Sequence, residues 1–218
     1  FPYTTLFRSA LGASALASVG IMGQPEMVML IFCRALSIAV TAIIARRHGE
    51  GEVDGMNAVL KQSILLNFLI YVPLLAICLS NLEHILRFTG AEDGYIETAV
   101  WYGRFIVISL IFQSFSQIVG AALIGYGNTK VIFKSNVVGN ILNTIMNFFL
   151  IYGIGFFPEL GVMGAGVSTM ISSAVIALLL LRTISQHTTT GLTLRHPSKW
   201  KFERSVLHTM FHVDRKST

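Results

Sequence analysis

The sequence predicts an all-α polytopic membrane protein. Of its 218 residues, 53% are hydrophobic and only 12% charged, with a mean hydropathy of +0.67. Charges collect in short connections, and the apolar runs between them are each long enough to cross a hydrocarbon core of about 30 Å. A soluble domain of this length would carry about twice that share of charge. The formal net charge of +5 does not indicate a nucleic-acid partner, because the basic residues are dispersed over connections without interleaved stacking aromatics. Cys33 and Cys78 both lie in apolar runs, so neither a disulfide framework nor a thiolate metal site is indicated.

Five spans are predicted. The first runs from about Leu11 to Ala45, where Pro25 and Gly23 mark either a kink or the true helix start, since Glu26 to Ala45 alone covers about 30 Å. It ends at Arg46-Arg47-His48-Gly49, cations and a glycine that suit a helix C-terminus. The second runs from about Ala58 to Leu79, and the polar stretch Glu83 to Glu97 after it reads as a short amphipathic helix at the interface. The third, about Tyr95 to Ile124, ends in Gly125-Tyr126-Gly127-Asn128-Thr129-Lys130, a reversal rich in residues that tolerate positive φ. The fourth occupies the uncharged run Ser135 to Phe157, and the fifth follows Pro158 from about Gly161 to Leu181.

The fourth span carries Asn136, Asn140, Asn143 and Asn147. At about 100° and 1.5 Å per residue they fall within roughly a 60° arc and extend about 16 Å, so they form one polar stripe. Each unpartnered amide facing lipid would cost on the order of 2 to 7 kcal/mol, so the stripe must face protein or water. It marks either a transport path or interhelical hydrogen bonding that holds the bundle together. The third span repeats the pattern, with Tyr102, Ser109, Gln113, Ser116, Gln117 and Gly120 within about 100° of arc. Ser168 and Ser172 add an i, i+4 pair on the fifth span, after Gly161, Gly164 and Gly166, which permit close backbone approach.

Two ionisable residues lie in the first run. Glu26 and Arg34 are about 80° apart around the helix and do not pair directly. Intramembrane charges mark functional sites by default, although Glu26 also suits a helix N-terminus after Pro25. No catalytic motif, phosphate loop or metal-ligand spacing is present, and Glu50, Glu52 and Asp54 read as a solvated loop. An enzyme is not indicated, and neither a cofactor nor a metal.

Alternate connections differ in charge. One side holds Arg46, Arg47, Lys61, Lys130, Lys134, Arg182, Arg195, Lys199, Lys201 and Arg204, whereas the other holds Arg87 and Arg104. Short basic connections stay cytoplasmic, which places the first span's start outside and calls for one more preceding helix. In the tail, Gln186 to Gly191 is linker-like, whereas Trp200, Phe202, Val206, Leu207, Met210 and Phe211 recur at helical spacing beside basic residues, as in a surface helix leading to another span. Residues 1–9 and 214–218 resemble translated adapter scars and are set aside.

Several segments together resemble the multidrug and toxic compound extrusion (MATE) family. They are Leu11-Gly12-Ala13, Ala45-Arg46-Arg47 with Gly49 and Gly51, Gly125 to Thr129, Asn140-Ile141-Leu142-Asn143 with Asn147, and Leu160 to Gly166. The resemblance implies a twelve-helix parent of two six-helix lobes, in which residues 10–184 supply helices two to six of the N-terminal lobe. Residues 185–213 would be the inter-lobe linker and the start of helix seven. It implies a multi-pass protein of a bacterial plasma (inner) membrane that exports amphipathic, often cationic, organic compounds by alternating access, coupled to H+ or Na+. Its partners would be those substrates, the bilayer and the missing second lobe, with no nucleic acid. The alternative is a lipid-linked oligosaccharide or lipid II flippase of the same broad superfamily, and a membrane-embedded enzyme comes third. Many family members carry aspartate where this chain has Asn147, and an amide cannot release a proton. Coupling would then depend on carboxylates elsewhere.

Overall fold

The computed structural model describes residues 2–155, 158–186 and 192–194, with side chains from residue 14 onward. The described residues form helices and turns: α1 (Pro2–Gly49), α2 (Val53–Ser80), the short α3 (Leu82–Phe88), α4 (Ile96–Gly125), α5 (Thr129–Tyr152) and α6 (Val162–Ser185). Four of them, over Ser14–Gly49, Val53–Ser80, Ile96–Gly125 and Val162–Ser185, are long and apolar enough to cross a membrane. The fifth expected span, α5, has the length, about 36 Å for its 24 residues, but is not among those four. Its asparagines lower its apolarity.

Two expectations are corrected and one alternative is resolved. Of the two readings of Pro25, a kink or the helix start, the second is excluded, since α1 continues through Pro25. In hydrocarbon a broken helix would expose backbone groups at several kcal/mol each, so a membrane helix keeps its course and neighbouring groups meet the freed carbonyl. The interfacial helix is shorter than Glu83 to Glu97: α3 ends at Phe88, and Thr89 to Tyr95 turn the chain toward α4. Lys61, counted above with the basic connections, lies two turns inside α2 and is only 1% exposed. The expected surface helix from Trp200 to Phe211 and the terminal segment 214–218 lie outside the described residues.

α4 is the centre of the bundle, with α1, α2 and α6 all packed on it, while α5 leans on α6 and touches α4 lightly. Glycines set the closest crossings. A Cβ on Gly125 would lie 2.6 Å from the Thr41 carbonyl oxygen of α1, and one on Gly164 would lie 2.7 Å from that of Leu150 on α5. Polar side chains tie the helices where glycine does not. Tyr71 Oη donates to the Met29 carbonyl at 2.6 Å, joining α2 to α1, and Asn67 Nδ2 donates to Ser114 Oγ at 3.1 Å, joining α2 to α4. Beyond α6 the chain returns beneath the bundle: the Thr193 amide donates to Asn57 Oδ1 at 2.6 Å, and Leu192 is fully buried.

Candidate functional site: a polar cavity between four helices

Short side chains on α1, α4, α5 and α6 leave a cavity of about 640 Å³ between those helices. Pockets of a few hundred to a thousand Å³ accommodate drug-sized molecules. From Glu26 to Thr41 the cavity follows α1 for about 22 Å, most of a hydrocarbon core. Its wall is amides and hydroxyls, Gln113, Ser116, Gln117, Asn136, Asn140, Asn143, Thr169 and Ser172 among them, set between aliphatic side chains such as Ile38, Ile132 and Ile176. Glu26 is the one charged residue of this described lining, and the Gln113 amide lies beside its carboxylate. Ser116 Oγ is buried in the wall with no hydrogen-bond partner among the described residues.

The asparagine stripe divides into two halves. Asn136 and Asn140 are exposed on α5, line the cavity, and make no side-chain hydrogen bond among the described residues. Asn143 and Asn147 bind α6. Asn143 Nδ2 donates to Thr169 Oγ1 at 3.4 Å and to Ser172 Oγ at 3.3 Å, Asn147 Nδ2 donates to Asn143 Oδ1 at 3.0 Å, and the Ser168 hydroxyl donates to Asn147 Oδ1. Asn143 still borders the cavity, whereas Asn147 does not. One stripe therefore supplies both lining and interhelical bonding, the two roles its spacing left open.

Other predicted residues also divide. Gln113, Gln117 and Ser172 line the cavity, as does Glu26. Tyr102 and Ser168 do not. Tyr102 is buried against Gly166 of α6, close enough that a Cβ there would lie 3.2 Å from its ring, and Ser168 is consumed by Asn147. Arg34 is exposed on α1 and is absent from the wall. Sequence reasoning missed Ser37 and Thr41 on α1 and Thr169 and Ser173 on α6. Ser37 and Thr41 are an i, i+4 pair on the same side of the helix as Glu26, a signal that was legible but weak.

A bundle of apolar helices around a polar, drug-sized cavity defines a membrane transporter. The MatE family model matches residues 3–149, more than half the chain, and the chain belongs to this family of multidrug efflux transporters. It is 27% identical over 177 residues to Multidrug resistance protein NorM of Vibrio cholerae, covering 81% of this chain and 38% of that protein. It is also 27% identical over 212 residues to Probable multidrug resistance protein NorM of Thermotoga maritima, covering 95% and 45%. An inward-facing multidrug resistance MATE family transporter of the MOP superfamily superposes with a TM-score of 0.85 at 25% identity, over 95% of this chain and 46% of that one. An outward-facing one matches in fold with the same TM-score of 0.85, over 95% and 45%. The chain thus spans less than half the length of the relatives it matches. MATE transporters are transport proteins rather than enzymes, and ion-coupled antiporters.

Proposed function

We propose that the full-length protein is an H+- or Na+-coupled antiporter that exports amphipathic, often cationic, organic compounds across a bacterial inner membrane. In this reading residues 10–184 are helices two to six of its N-terminal lobe, and residues 185–213 lead into helix seven of a second lobe. The observation that carries the reading is the cavity wall: amides and hydroxyls between aliphatic groups, with Glu26 as its single described charge. Such a wall suits an amphipathic cation, whose apolar body meets Ile38 and Ile176 and whose charge is offset by the carboxylate. Asn136, Asn140, Asn143, Gln113, Gln117 and Ser172 are the proposed path, with Asn147 and Ser168 holding it in shape. A flippase would need cations to meet pyrophosphate. The described lining offers none, and Arg34 lies outside it.

In this reading transport proceeds by alternating access, and the fold matches an inward-facing and an outward-facing family member alike. The test is efflux of a fluorescent organic cation by the full-length transporter in cells, with Glu26→Gln as the variant. Efflux is expected to fall about tenfold or more, the loss of one charge-assisted contact. Wild-type efflux at equal expression would refute the role of Glu26. Protection of Asn140→Cys from a thiol reagent by that same cation tests the path itself, against a background in which Cys33 and Cys78 are both buried.

A further inference from the structure

A second pocket, of about 230 Å³, lies at the end of α4 away from the basic connections, between α3 and α4. Glu83, Glu97, Trp101 and Arg104 line it together with Ile96 and Val100. We infer that it binds the headgroup of a phospholipid bearing a primary ammonium, a phosphoethanolamine diester. This site is distinct from the transport cavity and does not depend on its reading.

Depth supports a lipid as the occupant. α4 is 30 residues long, about 45 Å, and 30 Å measured from its Gly125 end reaches about Phe105. Arg104 therefore stands at the edge of the hydrocarbon, with Trp101 one turn and Glu97 two turns further out among the headgroups. Tryptophan favours this level, and arginine extends its charge toward it. The Arg104 guanidinium lies over the Trp101 ring, 4.6 Å from its centroid, which raises the cation to the level of Trp101 and fixes its plane. Ile96 and Val100 supply an apolar side wall, and the half-exposed face of Trp101 is open to acyl chains.

Charge selects the headgroup. Glu83 is already paired with Arg87 Nε at 3.0 Å, and Arg87 Nη1 binds Asp93 at 2.7 Å. Asp93 first and Glu83 second hold that guanidinium above its ordinary pKa. Neither Glu97 nor Arg104 forms an ion pair among the described residues. One pocket thus presents a carboxylate and a guanidinium without an ion-pair partner, on residues about two helical turns, roughly 10.5 Å, apart along α4, a span that a phosphodiester and its ammonium fill together with their two contacts. A phosphodiester on Arg104 would place a neighbouring ammonium against Glu97, and the two bonds would be charge-assisted. With Arg87 and Asp93 counted, three carboxylates face two guanidiniums here, which disfavours an anionic headgroup, and the Trp101 face that a trimethylammonium would seek is occupied by Arg104.

The experiment is lipid retention by the purified full-length transporter, read by native mass spectrometry after incubation with phosphatidylethanolamine, phosphatidylcholine or phosphatidylglycerol. The expected result is preferential retention of one phosphatidylethanolamine. Glu97→Gln should reduce that retention about tenfold, to the phosphatidylcholine level, and Arg104→Ala should reduce retention of every phospholipid. Unchanged circular dichroism and thermal midpoint will show that the variants fold. Retention that is equal for the three lipids, or unaffected by Glu97→Gln, would overturn the inference. Full competition by soluble glycerophosphoethanolamine would overturn the assignment to a membrane lipid.

Discussion

Asn143→Ala and Asn140→Ala should separate stability from function within one stripe. Asn143 donates to Thr169 and Ser172 on α6 and accepts from Asn147. At an average of about 0.6 kcal/mol per side-chain hydrogen bond inside a membrane bundle, the three contacts sum to about 2 kcal/mol. Asn140 has no such bond among the described residues, and alanine is the better helix former by about 0.6 kcal/mol, so its replacement should be neutral or slightly stabilising. The difference between the variants, about 2 kcal/mol, corresponds to about 4–8 °C in thermal midpoint for a chain of this size. Unfolding of the purified 218-residue chain in detergent, followed by circular dichroism, reads it. Equilibrium binding of a fluorescent organic cation to the full-length transporter gives the other half: Asn140→Ala should weaken binding severalfold although it costs no stability. Should Asn140→Ala prove as destabilising as Asn143→Ala, the division of the stripe into lining and interhelical bonding is wrong.

The remaining predictions concern a crossing and a charge. Gly125→Ala brings a methyl within 2.6 Å of the Thr41 carbonyl, about 0.8 Å inside the 3.4 Å of ordinary contact, and α1 backbone cannot yield as a side chain can. It should lower stability by about 1–3 kcal/mol, whereas Gly120→Ala, with nothing within 4 Å, should be neutral or raise the thermal midpoint. Asn147→Asp turns the donor 3.0 Å from Asn143 Oδ1 into an acceptor, and relief requires the Asn143 amide to flip and accept from the hydroxyls of Thr169 and Ser172. Dye efflux by the full-length variant should then acquire a new pH dependence; an unaltered profile would remove position 147 from the coupling network.

Helix number and order were legible because apolar runs between charged connections leave few alternatives in a membrane. The α4 to α5 reversal was equally readable, and Gly127 there has a φ of +88°. Pro25 left two readings open because its soluble-protein meaning, a break or a start, yields in lipid to the cost of exposed backbone. Lys61 misled because charge alone was counted; its burial depends on α2 packing that no local pattern reveals. For the site, periodicity gave the face of α5 but not its neighbours. Only the position of α6 decides that Asn143 meets Thr169 and Ser172 while Asn136 and Asn140 remain open. Tyr102 and Ser168 shared an arc with cavity residues yet are consumed by packing, since an arc of 100° is wide enough to reach both a cavity and an adjacent helix.

α5 presents Val137, Val138, Ile141, Ile145 and Phe148 outward, yet its amides keep it from being apolar enough to count as a span unaided. Its place in the bundle therefore depends on having those amides met. Asn143 and Asn147 are met by hydroxyls of α6, and Gly164 lets the α6 backbone come against Leu150 to make that possible. Asn136 and Asn140 are not met by α6, because their side of the helix opens on the cavity while Gly139 between them lies against Ile176 of α6. Their desolvation is avoided only while that cavity holds water or a polar molecule. The same stripe thus fixes α5 to α6 at one end and keeps the path wet at the other. Asn140→Leu, which fills the path with apolar volume, should therefore abolish binding of a fluorescent organic cation to the full-length transporter while leaving the thermal midpoint near that of the unaltered protein; a midpoint lowered as far as by Asn143→Ala would refute this division.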